Sequence, residues 1–170
     1  NAPLISYNGA LIYDYKTKKA LYQHAIPASV ARRVFEAFES LGVYAQGYSK
    51  NGIFCHEKTD YTLFYEKAIR VTATAVHEPL SRWVCEDMTK LLAIEAPERL
   101  DELIPDLKAR FPEIQFMKSR PYFLEMVLKG VDKGAAIRRL GEILNVKPEE
   151  IMAFGDGQND LPMIEAAGIG

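Results

Sequence analysis

The chain has 170 residues, of which 48% are hydrophobic and 26% are charged, and its formal net charge is -2. This composition is typical of a folded globular protein and excludes a disordered one. The charges of both signs are interspersed, which argues against a nucleic-acid partner, and no apolar stretch is long enough to span a bilayer. The two cysteines form no zinc-binding motif, so we expect reduced thiols and a cytoplasmic location. The sequence leaves the oligomeric state open.

Apolar runs that suit β-strands alternate with segments of 3.6-residue period, a pattern that is typical of an α/β protein. The helices are predicted at 28–41, 60–74, 97–111, 132–145 and 161–168. The strands are predicted at 4–7, 10–14, 20–25, 43–48, 52–56, 90–95, 114–118, 122–128 and 150–155. The clearest helix begins at Pro97 and ends before Pro112, with its apolar residues on one face.

Two stretches of the chain superimpose when one is shifted so that Pro27 falls on Pro97. The apolar positions of the helix that follows each proline then coincide, and Lys50 falls on Arg120. Each stretch reads as strand, helix, strand, strand. We therefore predict a duplicated unit that forms one sheet with its helices on one face.

The segment Gly155–Asp160 reads G-D-x-x-N-D and follows the apolar run 151–154. We expect a tight turn at the carboxyl end of a buried strand, where open α/β sheets bind their ligands. Asp156, Asn159 and Asp160 would present oxygen atoms there, and such ligands suit Mg²⁺. The alternative is that Asp160 caps the helix after it while the other two residues support the turn.

Lys133 follows Asp132, the predicted N-cap of the helix at 132–145. A cation in the first turn of a helix opposes the helix dipole at a cost of about 0.3 to 1 kcal/mol, so helix stability does not explain this lysine. A phosphate bound at the helix start would explain this placement, because the ammonium group would then bind the phosphate. A solvated surface lysine is the alternative, but the position of Lys133 one strand before the acidic turn favours the phosphate site. We expect this region, from Glu125 onwards, to form one βαβ unit of a parallel sheet.

These residues together resemble the haloacid dehalogenase-like superfamily, most closely its Cof-type branch of sugar phosphatases. The matching segments are Ser6–Ala10, Phe123–Glu125, Gly130–Gly134 and Phe154–Asp160 with Met163 after it. The resemblance implies an α/β fold with a partial Rossmann-like core, formed by 1–11 and 121–170. It also implies an inserted α/β cap domain at 12–120, built from the duplicated unit.

The resemblance implies a magnesium-dependent hydrolase of small phosphorylated metabolites, most often sugar phosphates, that acts through an aspartyl-phosphate intermediate. By position, Lys133 would hold the phosphoryl group and the charge of the nucleophile. Asp156 would bind Mg²⁺, and Asn159 and Asp160 would complete the metal and phosphate shell. The implied substrate contacts are Asn8, Lys133, Asn159 and, as a weaker candidate beside Lys50, Arg120.

One element of the family pattern is absent from the sequence. The nucleophile of the family lies in an N-terminal D-x-D motif, and no two aspartates of this chain are spaced two apart. We therefore expect the chain to be an internal segment of a longer phosphatase and to hydrolyse nothing by itself. A phosphotransferase or mutase, and a non-catalytic binding protein on the same scaffold, are the alternatives.

Overall fold

The computed structural model describes residues 2–170, apart from the side chain of Gln158. The helices are α1 (Ala28–Leu41), α2 (Asp60–Ile69), α3 (Leu80–Trp83), α4 (Pro97–Arg110), α5 (Lys133–Leu144) and α6 (Leu161–Ala166). The strands are β1 (Leu4–Ser6), β2 (Leu11–Asp14), β3 (Lys19–Gln23), β4 (Tyr44–Ser49), β5 (Gly52–Cys55), β6 (Ala73–Ala75), β7 (Lys90–Ile94), β8 (Ile114–Arg120) and β9 (Phe123–Leu128). This mixture of strands and helices confirms the predicted α/β class. No helix in the described part of the chain has the length and apolar character needed to cross a membrane.

Helix α2 differs most from its predicted bounds. It begins with a capping box between Thr59 and Thr62, as its sequence allows, but it ends at Arg70 in the left-handed conformation. The predicted extension to residue 74 is wrong because Ala73–Ala75 forms a strand that pairs in parallel with β5. The side chain of Glu66 accepts a hydrogen bond from the backbone N–H of Ala73 at 2.7 Å and so fixes the start of that strand.

The chain divides into two compact units. The first unit contains the residues up to His24 together with Val127–Gly170, and the second contains Ala25–Met126. The first unit holds an antiparallel sheet of order β1-β2-β3. The second unit holds a six-stranded sheet of order β6-β5-β4-β7-β9-β8, whose last residues of β9 belong to the first unit. Strands β2 and β3 pair with β1 in the first unit, and the domain bounds 1–11, 12–120 and 121–170 stay a prediction.

The predicted repeat corresponds to α1-β4-β5 and α4-β8-β9. All four of these strands lie in the six-stranded sheet, and both helices have 14 residues. The first strand of the first copy is β3, which lies in the three-stranded sheet instead. The second copy begins with β7, which does belong to the six-stranded sheet. The two copies therefore agree over a helix and the two strands that follow it. Their first strands, β3 and β7, lie in different sheets, so the prediction of a single sheet does not hold for β3.

The segment 150–155 does not form the buried strand that the sequence predicts. Within the described residues it makes one isolated parallel bridge, between Met152 and Ile169. The side chains of Met152 and Phe154 are 57% and 80% exposed. Strand β9 pairs with β7, so the expected βαβ unit does not form in this part of the chain. A strand requires neighbouring backbone to complete its hydrogen bonds, and Ile169 offers only a short partner here.

Candidate functional site

Lys133 opens helix α5, and its charge is paired. Asp132 caps the helix as predicted, because its side chain accepts a hydrogen bond from the N–H of Ala135 at 2.7 Å. The side chain of Lys133 is only 29% exposed, and its ammonium group donates to Oδ1 of Asp160. A solvated surface lysine does not describe this residue. The carboxylate of Asp160 offsets the unfavourable position of a cation in the first turn.

Asp160 is buried and joins Lys133 to the acidic turn. Its Oδ2 atom accepts hydrogen bonds from the backbone N–H groups of Asp156, at 3.2 Å, and Gly157, at 3.1 Å. The hydrogen bond from Lys133 lowers the pKa of Asp160 below its ordinary value of 3.8, and the two turn N–H groups add to this effect against the opposing effect of burial. Asp160 occupies the N-cap position of α6 but its side chain makes no capping bond there. Its carboxylate instead closes the turn that precedes it.

Asn8 lies next to this turn through its contact with Asn159. It belongs to the short 3-10 turn Tyr7–Gly9 and adopts the left-handed conformation, with φ of 55°. The side-chain amide of Asn159 donates to Oδ1 of Asn8 at 3.5 Å. A Cβ atom added to Gly9 would lie 2.4 Å from the carbonyl oxygen of Asp132. The absence of a side chain at Gly9 thus lets the 3-10 turn approach the first residues of α5.

Gly134 brings the starts of α5 and α6 together. A Cβ atom at this position would lie 2.1 Å from the carbonyl oxygen of Pro162, a backbone atom. Gly9 and Gly134 belong to the sequence motifs, but the sequence alone indicates no packing role for either. A glycine predicted inside a helix could have indicated this contact. Alanine is more favourable there by about 1 kcal/mol, unless a neighbouring segment lies too close for a side chain.

The residues proposed for the metal fit Mg²⁺ in part. Asp156 has an exposed carboxylate, and Asn159 adds an amide oxygen, which are the oxygen donors that Mg²⁺ accepts. Both oxygens of Asp160 already accept hydrogen bonds. Among residues 2–170 there is no group of three or more His, Cys, Asp or Glu side chains that could hold a metal ion. Within the described residues, Asp156 and Asn159 therefore form an incomplete ligand set.

The two basic candidates for substrate contact lie in the second unit. Arg120 is the last residue of β8 and is exposed. Lys50 lies between β4 and β5 with its side chain 77% exposed, and its ammonium group is 4.0 Å from Glu86. All the other predicted site residues belong to the first unit. The structure thus brings together Asn8, Lys133, Asn159 and Asp160, with Asp156 on the same turn. The substrate contacts by the two basic candidates of the second unit stay a prediction.

The contacts among the lysine at the helix start, the acidic turn and the asparagine of the N-terminal segment bring together motifs on which the resemblance to the haloacid dehalogenase-like superfamily rests. The family model of the haloacid dehalogenase-like hydrolases matches residues 1–170. The chain belongs to this family.

Known proteins support this membership over nearly the whole chain. A Haemophilus influenzae protein, whose phosphatase function is itself a prediction, is 29% identical over 172 residues, which cover 100% of this chain and 64% of that protein. The 5-amino-6-(5-phospho-D-ribitylamino)uracil phosphatase of Bacillus subtilis is 25% identical, covering 99% of this chain and 63% of its own. A solved structure from Thermotoga maritima is 39% identical, with a TM-score of 0.83 and coverage of 98% and 62%. The chain thus spans less than two thirds of the length of these relatives.

Proposed function

We propose that the complete protein is a magnesium-dependent phosphatase of small phosphorylated metabolites, with sugar phosphates as the expected substrates. The observation that carries this proposal is the pairing of Lys133, at the start of α5, with Asp160 of the G-D-x-x-N-D turn. The named activity of the Bacillus subtilis relative, which removes phosphate from a small ribityl compound, agrees with this substrate class.

In this proposal, Lys133 neutralises the charge of the bound phosphoryl group. Phosphoryl transfer depends mainly on positioning the phosphate and stabilising the charge on its equatorial oxygens. The ammonium of Lys133 and the first N–H groups of α5 supply such charge at one place. Asp160 holds the lysine in orientation through its carboxylate, and Asn8 and Asn159 would contact the substrate or its phosphate.

Asp156 and Asn159 would hold the magnesium ion, and a role for Asp160 in the metal shell stays a prediction. When bound, Mg²⁺ would add positive charge beside the phosphate oxygens. The exposed carboxylate of Asp156 is the ligand that this chain offers most directly, because its turn is held by Asp160 and leaves its side chain outside.

The attack on phosphorus requires a nucleophile that we place on an aspartate beyond the described residues. This aspartate would form an aspartyl-phosphate, which water then hydrolyses. The second unit would be the cap that selects the substrate and shields the reaction from water, with Arg120 and Lys50 as candidate contacts.

The test measures magnesium-dependent phosphate release by the complete protein and its variants. We expect Lys133→Ala and Asp156→Asn each to lower kcat by about 10²- to 10³-fold, as the loss of one group that stabilises charge in the transition state does. The matched controls are Lys129→Ala and Asp106→Asn, which alter exposed residues. Circular dichroism and thermal unfolding should show that all four variants are folded. Near-normal turnover in either site variant would overturn the assignment.

A further inference from the structure

A buried ion pair in the second unit takes no part in the proposed chemistry. The ammonium group of Lys90, on β7, lies 3.2 Å from Oε2 of Glu125, on β9. Their side chains are only 8% and 14% exposed. The same ammonium group lies 4.4 Å from the ring centroid of Tyr48, on β4. Lys90 therefore joins three neighbouring strands of the six-stranded sheet through charge.

A contribution to folding stability does not by itself explain why this ion pair is buried. Moving two charges out of water is costly, and apolar residues of similar volume at the same positions are often as stabilising. On the face of the sheet that carries the pair, Leu92 is fully buried opposite Glu125. Gln46 and Tyr48 of β4 are buried on the same face and hydrogen-bond to each other, so the surroundings are partly polar. What a buried pair does provide is a restriction on geometry, since either charge without its partner would be strongly unfavourable.

The position of the pair indicates what it restricts. The chain enters the second unit after His24, and there Ile26 and Met88 exchange two backbone hydrogen bonds, of 2.7 and 2.9 Å. The chain leaves the second unit after Met126, which pairs with Leu91 in the sheet. The segment that enters the second unit and the segment that leaves it thus both pair with residues 88–91. Lys90 lies within this segment, and Glu125 directly precedes the residue at which the chain leaves.

We propose that Lys90 and Glu125 are a positioning pair that holds both connecting segments of the second unit on the start of β7. With the pair in place, the entering segment at Ile26 and the leaving segment at Met126 are fixed to one rigid element. Without it, the end of the β7–β9 ladder opens locally, and the two segments move independently of the rest of the unit.

The test compares four variants of the complete protein by amide hydrogen exchange and thermal unfolding. Lys90→Met with Glu125→Leu removes both charges and leaves none buried alone. Lys90→Arg keeps the cation, and Lys118→Met breaks an exposed ion pair with Asp101 in the same unit as a matched control. Lys90→Met alone shows the effect of removing the cation beside Glu125.

We expect the double variant to keep its Tm while the amides of Ile26 and Met88 exchange about tenfold faster than in the wild type. The amides within α1 should be unchanged, and Lys90→Arg and Lys118→Met should match the wild type at every amide. If the double variant keeps full protection at Ile26 and Met88, the pair has no positioning role and the inference is wrong. A general loss of Tm and protection in the double variant would also overturn it, because the pair would then serve the stability of the whole unit.

The kinetic consequence rests on the proposed function, whereas the exchange result does not. If the complete protein is a phosphatase, the double variant should show a kcat about tenfold lower with KM unchanged, because the cap would be positioned less well while the phosphate site stays intact. A wild-type protein without phosphatase activity would refute the proposed function and leave the exchange test valid. An active double variant with unchanged kcat, together with fast exchange, would contradict the link between the pair and catalysis.

Discussion

Gly134→Ala is expected to destabilise the protein, although alanine is normally the better residue in a helix. The exchange of glycine for alanine within a helix gains up to about 1 kcal/mol. At this position the new Cβ atom would lie 2.1 Å from the carbonyl oxygen of Pro162, whereas ordinary contacts begin at 3.4 Å. The obstacle is backbone, so it cannot turn aside as a flexible side chain can.

The magnitude follows from these two opposing effects. Restoring an ordinary contact requires the starts of α5 and α6 to separate by more than 1 Å, since 3.4 minus 2.1 is 1.3 Å. Overpacking that forces backbone shifts costs about 3 kcal/mol at the upper end of its usual range. Subtracting the gain in helix propensity leaves a loss of about 2 kcal/mol, which corresponds to a fall in Tm of about 4 to 8 °C.

Thermal unfolding followed by circular dichroism measures this change. The matched control is Arg138→Ala, which places alanine at an exposed position of the same helix and should change stability by less than about 0.5 kcal/mol. The movement of α6 would also separate Asp160 from Lys133, so phosphatase activity should fall with stability. A Gly134→Ala variant as stable as the wild type would refute the close approach of the two helix starts.

Two further predictions concern ion pairs. A double-mutant cycle of Lys133→Met and Asp160→Asn should give a coupling energy of about 1 to 2 kcal/mol, because the pair is mostly buried and hydrogen-bonded; a value below about 0.3 kcal/mol would contradict the contact. Glu66 accepts hydrogen bonds from Lys58 and from the N–H of Ala73, and these lower its pKa below the ordinary value of 4.5. Its contribution to stability is therefore present above about pH 4.5 and is lost as the pH falls through the lowered pKa. The difference in Tm between the wild type and Glu66→Gln should shrink in acid, with exposed Glu102→Gln as the control; a difference that stays constant to pH 2 would refute this assignment.

Local features of the sequence were sufficient for most elements of the fold. The periodicity of apolar residues predicted α1 and the main part of α4. Each helix buries one face, so its apolar residues recur along the sequence with the period of the helix. The cap at Asp132 was predictable for the same reason, since a capping side chain bonds to an N–H group only three residues away. The family itself followed from short motifs whose order and spacing are visible along the chain.

Tertiary structure decided the features that depend on residues far apart in the sequence. The end of α2 was misplaced because β6 forms on the edge of β5, a partner that helix periodicity does not describe. The run 151–154 was predicted to be buried because it is apolar, but burial depends on neighbours, and among the described residues Ile169 supplies little more than one bridge.

The candidate site shows the same division. The sequence by itself identified Lys133 and the acidic turn as residues whose chemistry suits phosphate and magnesium. Only the folded chain showed that Asp160 bonds to Lys133, so that its carboxylate orients the cation and closes the turn, and that Gly9 and Gly134 allow the segments to meet. The type of a residue specifies what it can bind, whereas its partner is fixed by backbone segments that pack together from distant parts of the chain.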